Sequence, residues 1–334
     1  MNPARSTEPA DCPAQPAVHR GPGLVTLGDV LVSLTGGAPG PLTRGEKLAL
    51  RIAGAEANTA VGVARLGVPA AWQGVLSGDE LGTLVLRELR AEGVAVRARR
   101  SAEPTALLLR TLRTAERSTV AYYRTGTAGT TLAPSDVDHE AIRRAGALHV
   151  SGITPALGTG PAAAVRDAVL TATAAGVPVS CALNHRSKLW SADAARDELA
   201  WLVRHSTVVF ASAAEAAIVT GERGTADEAA AALAKLGPAE VLVSDGGGPL
   251  AVHADGTTTR HAPTARTVVD TVGAGDSLAA GYLAARLRGL PVPERVRIAL
   301  AAARHAVTTV GDWDGLPTWA EVADTGADAD DIAR

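Results

Sequence analysis

The sequence predicts an α/β protein: a mostly parallel sheet flanked by helices, with a second, smaller sheet outside the main layer. Three observations carry this reading. From about residue 134 onward, β-prone apolar runs alternate with helical stretches in a regular rhythm, as in a parallel sheet covered on both faces. Residues 24–34 form an apolar run suited to a buried first strand. Residues 94–124 alternate short β-prone pieces with charged turns, and residues 36–50 are rich in Gly and Pro. Both of these segments fit edge strands and turns better than helix.

The elements follow in order. Helical spacing predicts a helix over 58–66, closed by Gly67 as a C-cap. A strand over 70–75 and a helix over 80–92, ended by Gly93, come next. Residues 105–111 and 118–123 are the β-prone pieces of the small sheet. Beyond them, strands are predicted over 147–151, 177–182, 207–211, 241–244 and 250–254. Helices are predicted over 161–175, 192–205, 213–220, 226–236, 276–287 and 293–309. In such a sheet, ligands bind beyond the carboxyl ends of the strands.

The whole chain narrows the choice of function. Its 334 residues can bury a large core, and 46% hydrophobic with 20% charged residues is a globular composition. No apolar run approaches the ~18–20 residues of a membrane span. With a net charge of −3 and no sustained basic stretch, neither nucleic acid nor an anionic membrane is an expected partner. The two cysteines, Cys12 and Cys181, form no framework, so a reducing cytoplasm is expected. A Pro-rich leader over 1–22 without an apolar core is expected to be disordered. An acidic tail over 326–334 is expected to fray.

One segment carries chemistry. In Val268-Val269-Asp270-Thr271-Val272-Gly273-Ala274-Gly275-Asp276-Ser277, an apolar run is read as a strand that turns on two glycines and enters a helix. The N–H groups at such a helix start have no internal partner and favour an anion, commonly phosphate. An Asp beside an anion site repels it, unless that Asp is a base for a hydroxyl attacking a phosphoryl group. The competing reading is a plain Gly-rich turn with Asp276 as a cap. The P-loop pattern is absent, and Leu278 stands where a dinucleotide fingerprint needs Gly or Ala. Gly158-Thr159-Gly160-Pro161-Ala162-Ala163 is read as a helix start.

Asp270 to Asp276, followed by Ala279-Ala280-Gly281, resembles the C-terminal signature of ribokinase-like, PfkB-type carbohydrate kinases. Ala53-Gly54-Ala55-Glu56-Ala57-Asn58, with Gly62, Ala64-Arg65-Leu66-Gly67 and Gly78-Asp79-x-x-Gly82, resembles their N-terminal sugar-binding signature. The resemblance spans about residues 24–323. It implies a Rossmann-like (ribokinase-like) core, a β lid formed by about 35–50 and 95–125, and ATP with Mg2+. Within the family, Gly-Ala-Glu-x-Asn, Tyr122-Tyr123-Arg124, Asn184-x-Arg186 and Gly311-Asp312 resemble the 2-keto-3-deoxygluconate kinases. An Arg suits a sugar acid because a guanidinium matches a carboxylate bidentately.

The resemblance implies roles residue by residue. Asp276 is the general base, and the backbone of Gly273, Ala274 and Gly275 holds the transferring phosphoryl group. Asp29, Gly54 and Asn58 face sugar hydroxyls, Tyr122 and Arg124 reach down from the lid, and Arg186 and Asp312 complete the pocket. Ser244, Gly246 and Gly248, with Gly273 and Gly275, hold the nucleotide, and Glu215 stands near the metal. A homo-oligomer formed through the lid is also allowed.

Several positions depart from the family pattern. Ser212 stands for Asn, Ser244 for Lys, Pro249 removes an N–H, and Leu300, Ala182 and Leu108 replace Asn, Asp and an aromatic. These changes keep two alternatives open: a kinase for a neutral ketose or nucleoside, and a kinase-derived sugar-acid sensor with weak transfer.

Overall fold

The computed structural model describes residues 22–37, 40–112, 118–263 and 267–323. The leader (apart from Pro22), the acidic tail and Cys12 lie outside the described residues.

The chain enters through β1 (Leu24–Leu27), and the run expected as a single strand breaks at Gly28, Asp29 and Val30. It resumes as β2 (Leu31–Gly36), in a different sheet. The break lies where the two sheets meet. A Cβ on Gly28 would stand 2.2 Å from the Glu56 carboxyl carbon, so the chain passes there only without a side chain. β3 (Leu48–Ala53) pairs antiparallel with β2, and α1 (Ala55–Arg65) follows at once. Every residue of α1 from Ala55 to Val63 is buried. A Cβ on its Gly62 would fall 2.6 Å from the Ala280 methyl, a measure of how closely a later helix approaches.

β4 (Ala70–Ser77), α2 (Glu80–Ala91) and β5 (Ala95–Ser101) continue the main layer. This corrects the expected lid boundary. β5 pairs parallel with β4 along its length and forms an edge of the large sheet. Only β6 (Ala106–Leu112) and β7 (Ser118–Tyr123) join β2 and β3, giving a four-stranded small sheet in the order β3-β2-β6-β7.

Strands and helices then alternate: α3 (His139–Arg143), β8 (Ala147–Ser151), α4 (Thr159–Ala174), β9 (Val179–Ala182), α5 (Ala192–Arg204), β10 (Val208–Ser212), α6 (Ala213–Thr220), α7 (Ala226–Ala234) and β11 (Glu240–Ser244), as predicted from β8 onward. Gly158 does start a helix, as the N-cap of α4. An antiparallel edge closes the sheet with β12 (Leu250–Ala254) and β13 (Thr257–His261). The chain ends in α8 (Ala274–Leu287), α9 (Val292–Ala306) and α10 (Trp319–Ala323). Strand β13 and the five-residue helices α3 and α10 were not expected from the sequence; elements this short give too few residues for a period to show. The segment before Gly273, expected as a strand, is not one. Val268 and Val269 are 59% and 55% exposed, so their apolar character reflects no sheet position.

The large sheet has nine strands, ordered β13-β12-β11-β10-β9-β8-β1-β4-β5, parallel from β5 through β11. Strands alternate between two apolar layers: Val208 and Phe210 face one, Val209 and Ala211 the other. Helices α1, α8 and α9 build the first layer, and α4, α5 and α7 the second. Strand order reverses direction between β1 and β8, so their carboxyl ends open the crevice in which ligands bind in such sheets. No helix among the described residues is long and apolar enough to cross a membrane.

Candidate active site

A cavity of about 350 Å³ lies beyond the ends of β8 and β9, with the small sheet forming one wall. Tyr122 and Arg124 line it from that sheet, Gly54 and Asn58 from the start of α1, and Asp276 from the start of α8. Asp312 and Arg186 complete the lining. Of the seven residues expected to face the sugar, all but Asp29 line the cavity.

Close helix packing builds the centre. Gly62 of α1 rests on Ala280 of α8, and Asn58 and Asp276 each stand four residues, one helical turn, upstream of that contact. The two therefore meet: the Asn58 amide donates to Asp276 Oδ2 at 2.8 Å and to Asp312 Oδ2 at 3.3 Å. Burial pushes the Asp276 carboxyl above its ordinary range, opposed by the Asn58 hydrogen bond, the Arg186 charge and Asn184. Asp312 is pushed up to about 7, first by burial and then by the charge of Asp276. The charge of Asp276 thus disfavours ionisation of Asp312, and the two titrate as a pair. Beneath them, buried Glu56 is also raised to about 7, by desolvation above all, although Ser151 and Thr154 donate to its Oε1.

The turn entering α8 has the form an anion requires. Gly273 has φ of 75°, and a Cβ there would fall 2.4 Å from the Asp312 carbonyl oxygen, so both conformation and contact demand glycine. Among the described residues, the Gly275 and Asp276 N–H groups have no acceptor. They are donors of the first helical turn, at the positive end of the α8 dipole.

The arginines divide into paired and unpaired. Arg124 Nε and Nη2 both donate to Asp29 Oδ2, at 3.1 and 2.8 Å, with both side chains buried. Asp29 thus sits behind Arg124 and orients it. Arg186 is exposed at the rim, and its guanidinium makes no hydrogen bond or ion pair among the described residues. It is the lining guanidinium most available to an incoming carboxylate.

Of the residues expected to hold nucleotide and metal, Gly273 and Gly275 line the cavity and the others stand outside it. Ser244 ends β11, and Gly246 and Gly248 lie in the turn beyond it; none lines the cavity. Glu215 forms a capping box. Its Oε2 accepts the Ser212 N–H at 2.8 Å, its Oε1 accepts the His185 N–H at 2.9 Å, and Ser212 Oγ accepts the Glu215 N–H. Each oxygen thus holds one backbone N–H of the β9 and β10 loops. No cluster of three or more His, Cys, Asp or Glu side chains among the described residues could cage a metal.

Three participants escaped the sequence reading as site residues. Asn184 adopts φ of 41° and directs its amide to Asp276 Oδ1 at 3.4 Å. Arg51 and Arg110 also line the cavity. Strand alternation could have found Arg110, because β6 pairs with β7 so that Leu108 lies opposite Tyr122 and Arg110 opposite Val120, on the same face.

Comparison with known proteins shows the family. The 2-dehydro-3-deoxygluconokinase of Bacillus subtilis (strain 168) is 34% identical over 308 residues, 90% of this chain and 94% of its own length. The 2-dehydro-3-deoxygalactonokinase of Haloferax volcanii is 33% identical over 292 residues, 86% of this chain and 92% of its own. The crystal structure of Thermotoga maritima 2-dehydro-3-deoxygluconokinase superposes with a TM-score of 0.83 at 26% identity, covering 92% of this chain and 98% of that one. Residues 22–319 match the pfkB carbohydrate kinase family. The chain belongs to that family, and is a sugar phosphotransferase of ribokinase-like fold.

Proposed function

We propose that this kinase transfers the γ-phosphoryl group of ATP to the terminal hydroxyl of 2-keto-3-deoxygluconate or a closely similar sugar acid, with Asp276 as general base. One observation carries the reading: unpaired Arg186 and Arg124 share a cavity with Asp276 and the donor-rich turn at Gly273. A sugar acid spanning that cavity sets its carboxylate against the guanidinium groups and its far hydroxyl against Asp276.

When bound, ATP supplies the phosphoryl group, and its magnesium ion offsets the phosphate charge. The Asp276 carboxylate takes the hydroxyl proton as the oxygen attacks phosphorus. Its raised pKa strengthens it as a base, while Arg186 and Asn58 favour its ionised form. The Gly275 and Asp276 N–H groups steady the negative charge of the transferring group. Ser244, Gly246 and Gly248 are assigned to the nucleotide, and Glu215 to the neighbourhood of its metal. The apolar outer face of the small sheet, with Leu48 and Leu50 36% and 44% exposed, suits pairing with a second copy.

The test is ATP consumption against a panel of sugar acids, ketoses and nucleosides, run beside ligand-induced thermal shifts. Highest kcat/KM on 2-keto-3-deoxygluconate or its galactonate epimer is expected. A neutral ketose or nucleoside preferred over both removes the carboxylate argument, and thermal shifts without turnover favour the sensor. A neutral ketose keeps standing as second reading, because Asp29 already neutralises Arg124.

A further inference from the structure

Arg110 belongs to neither signature and lies on the small sheet, yet it reaches the turn ahead of α8. Its Nη1 and Nη2 each donate to a different oxygen of Asp270, the second at 3.0 Å. The Arg110 side chain is 17% exposed and Asp270 only 2%. Asp270 in turn holds two backbone segments: its Oδ1 accepts the Val272 N–H at 3.2 Å, and its Oδ2 the Gly311 N–H at 3.4 Å. The first segment leads into Gly273 and the free N–H groups; the second carries Asp312. One guanidinium from the substrate-covering sheet thereby braces both halves of the phosphoryl-handling centre. Burial alone would raise the Asp270 carboxyl. The Arg110 guanidinium and the Val272 and Gly311 N–H groups outweigh it and hold the group ionised.

We propose that Arg110 is a positioning residue that couples seating of the small sheet to assembly of the 270–276 turn, acting through Asp270 rather than by holding the sugar. This rests on the kinase reading, though not on which sugar is the substrate. With the pair formed, the turn presents its N–H groups in register with Asp276. With the pair broken, sugar still binds against Arg124 and Arg186, while the turn samples unproductive arrangements and turnover falls.

The experiment compares wild type with Arg110→Met, Arg110→Lys, Asp270→Asn and the Arg110→Met/Asp270→Asn double variant. Each is assayed on whichever panel sugar the wild type phosphorylates best, so failure of the sugar-acid assignment leaves the test intact. The expected result is a loss in kcat of about 10–100-fold in every variant, including the charge-preserving lysine, with sugar KM changed less than about threefold. The double variant should be no worse than the poorer single one. Hydrogen exchange on peptides spanning 268–276 serves as a readout independent of turnover and of folding yield, and should quicken in Arg110→Met. Losses confined to KM, additive losses in the double variant, a lysine variant with wild-type kcat, or unchanged exchange at the turn would each overturn the coupling.

Discussion

The Asn58 side-chain amide donates to the Asp276 carboxylate at 2.8 Å, although 218 positions separate the two residues in the chain. The same amide donates to Asp312, so one neutral side chain bridges two half-buried acids. This bridge joins the N-terminal end of α1 to that of α8.

Asp276→Asn should abolish turnover while sparing sugar binding. The amide is nearly isosteric but cannot accept the proton, so kcat is expected to fall by several orders of magnitude. Sugar affinity by calorimetry should stay within a few-fold. A variant retaining near-normal kcat would remove Asp276 as the base.

Turnover should rise with pH along an acid limb above the ordinary carboxylate range. Asp276 is raised and Asp312 is pushed up to about 7, both by burial above all, so the proposed base loses its function as pH falls through the raised range of the pair. Asn58→Ala removes the hydrogen bond that favours the ionised forms and should move the limb further to alkaline pH. A kcat profile flat from pH 5 to 8 would contradict both statements.

Glu56→Gln should matter for stability in a pH-dependent way. The folded-state pKa of Glu56 is raised from 4.5 to about 7, because burial penalises the charged form. Its contribution is fully present below 4.5 and is lost as pH rises through about 7. The loss is on the order of 3 kcal/mol, and glutamine does not suffer it. Thermal melts should therefore show the variant gaining on wild type between pH 5 and 7, with the gap constant above that. A gap independent of pH would rule out the linkage.

Arg124→Ala and Arg186→Ala should separate structure from recognition. Removing Arg124 leaves Asp29 buried without its counter-ion, at a cost of about 3–5 kcal/mol to folding. Arg186 is exposed and unpaired, so its removal should leave stability within about 0.5 kcal/mol. Its kcat/KM for a sugar acid should fall far more than for fructose. Equal losses on both sugars would argue against a carboxylate partner for Arg186.

Gly62→Val should be felt at a site it does not touch. The α1–α8 spacing depends on Gly62 lying against Ala280, where even one added carbon would meet the methyl at 2.6 Å. Overpacking of this kind costs about 1–3 kcal/mol, and a shift of about 1 Å between Asn58 and Asp276 can lower kcat about 100-fold. Denaturant unfolding together with kcat measures both, and full activity in a folded variant would show that the centre tolerates helix separation.

Much of this protein was legible in the sequence. Period-2 and helical patterns located the parallel strands and long helices, because burial imposes those periods on any chain with this architecture. The glycines flanking Ala274 marked an anion-favouring helix start, because backbone donors there need no tertiary partner to be exposed. Tertiary structure decided the rest. It split residues 24–34 between two sheets and moved 95–101 into the main layer, since pairing partners, not local propensity, assign a strand to a sheet. It placed Asp29 behind Arg124, gave both Glu215 oxygens to backbone donors, and set Arg110 on Asp270 across 160 positions. A charged side chain's role depends on which opposite charge or donor the fold brings within hydrogen-bond reach, and that distance is written in no single segment of the chain.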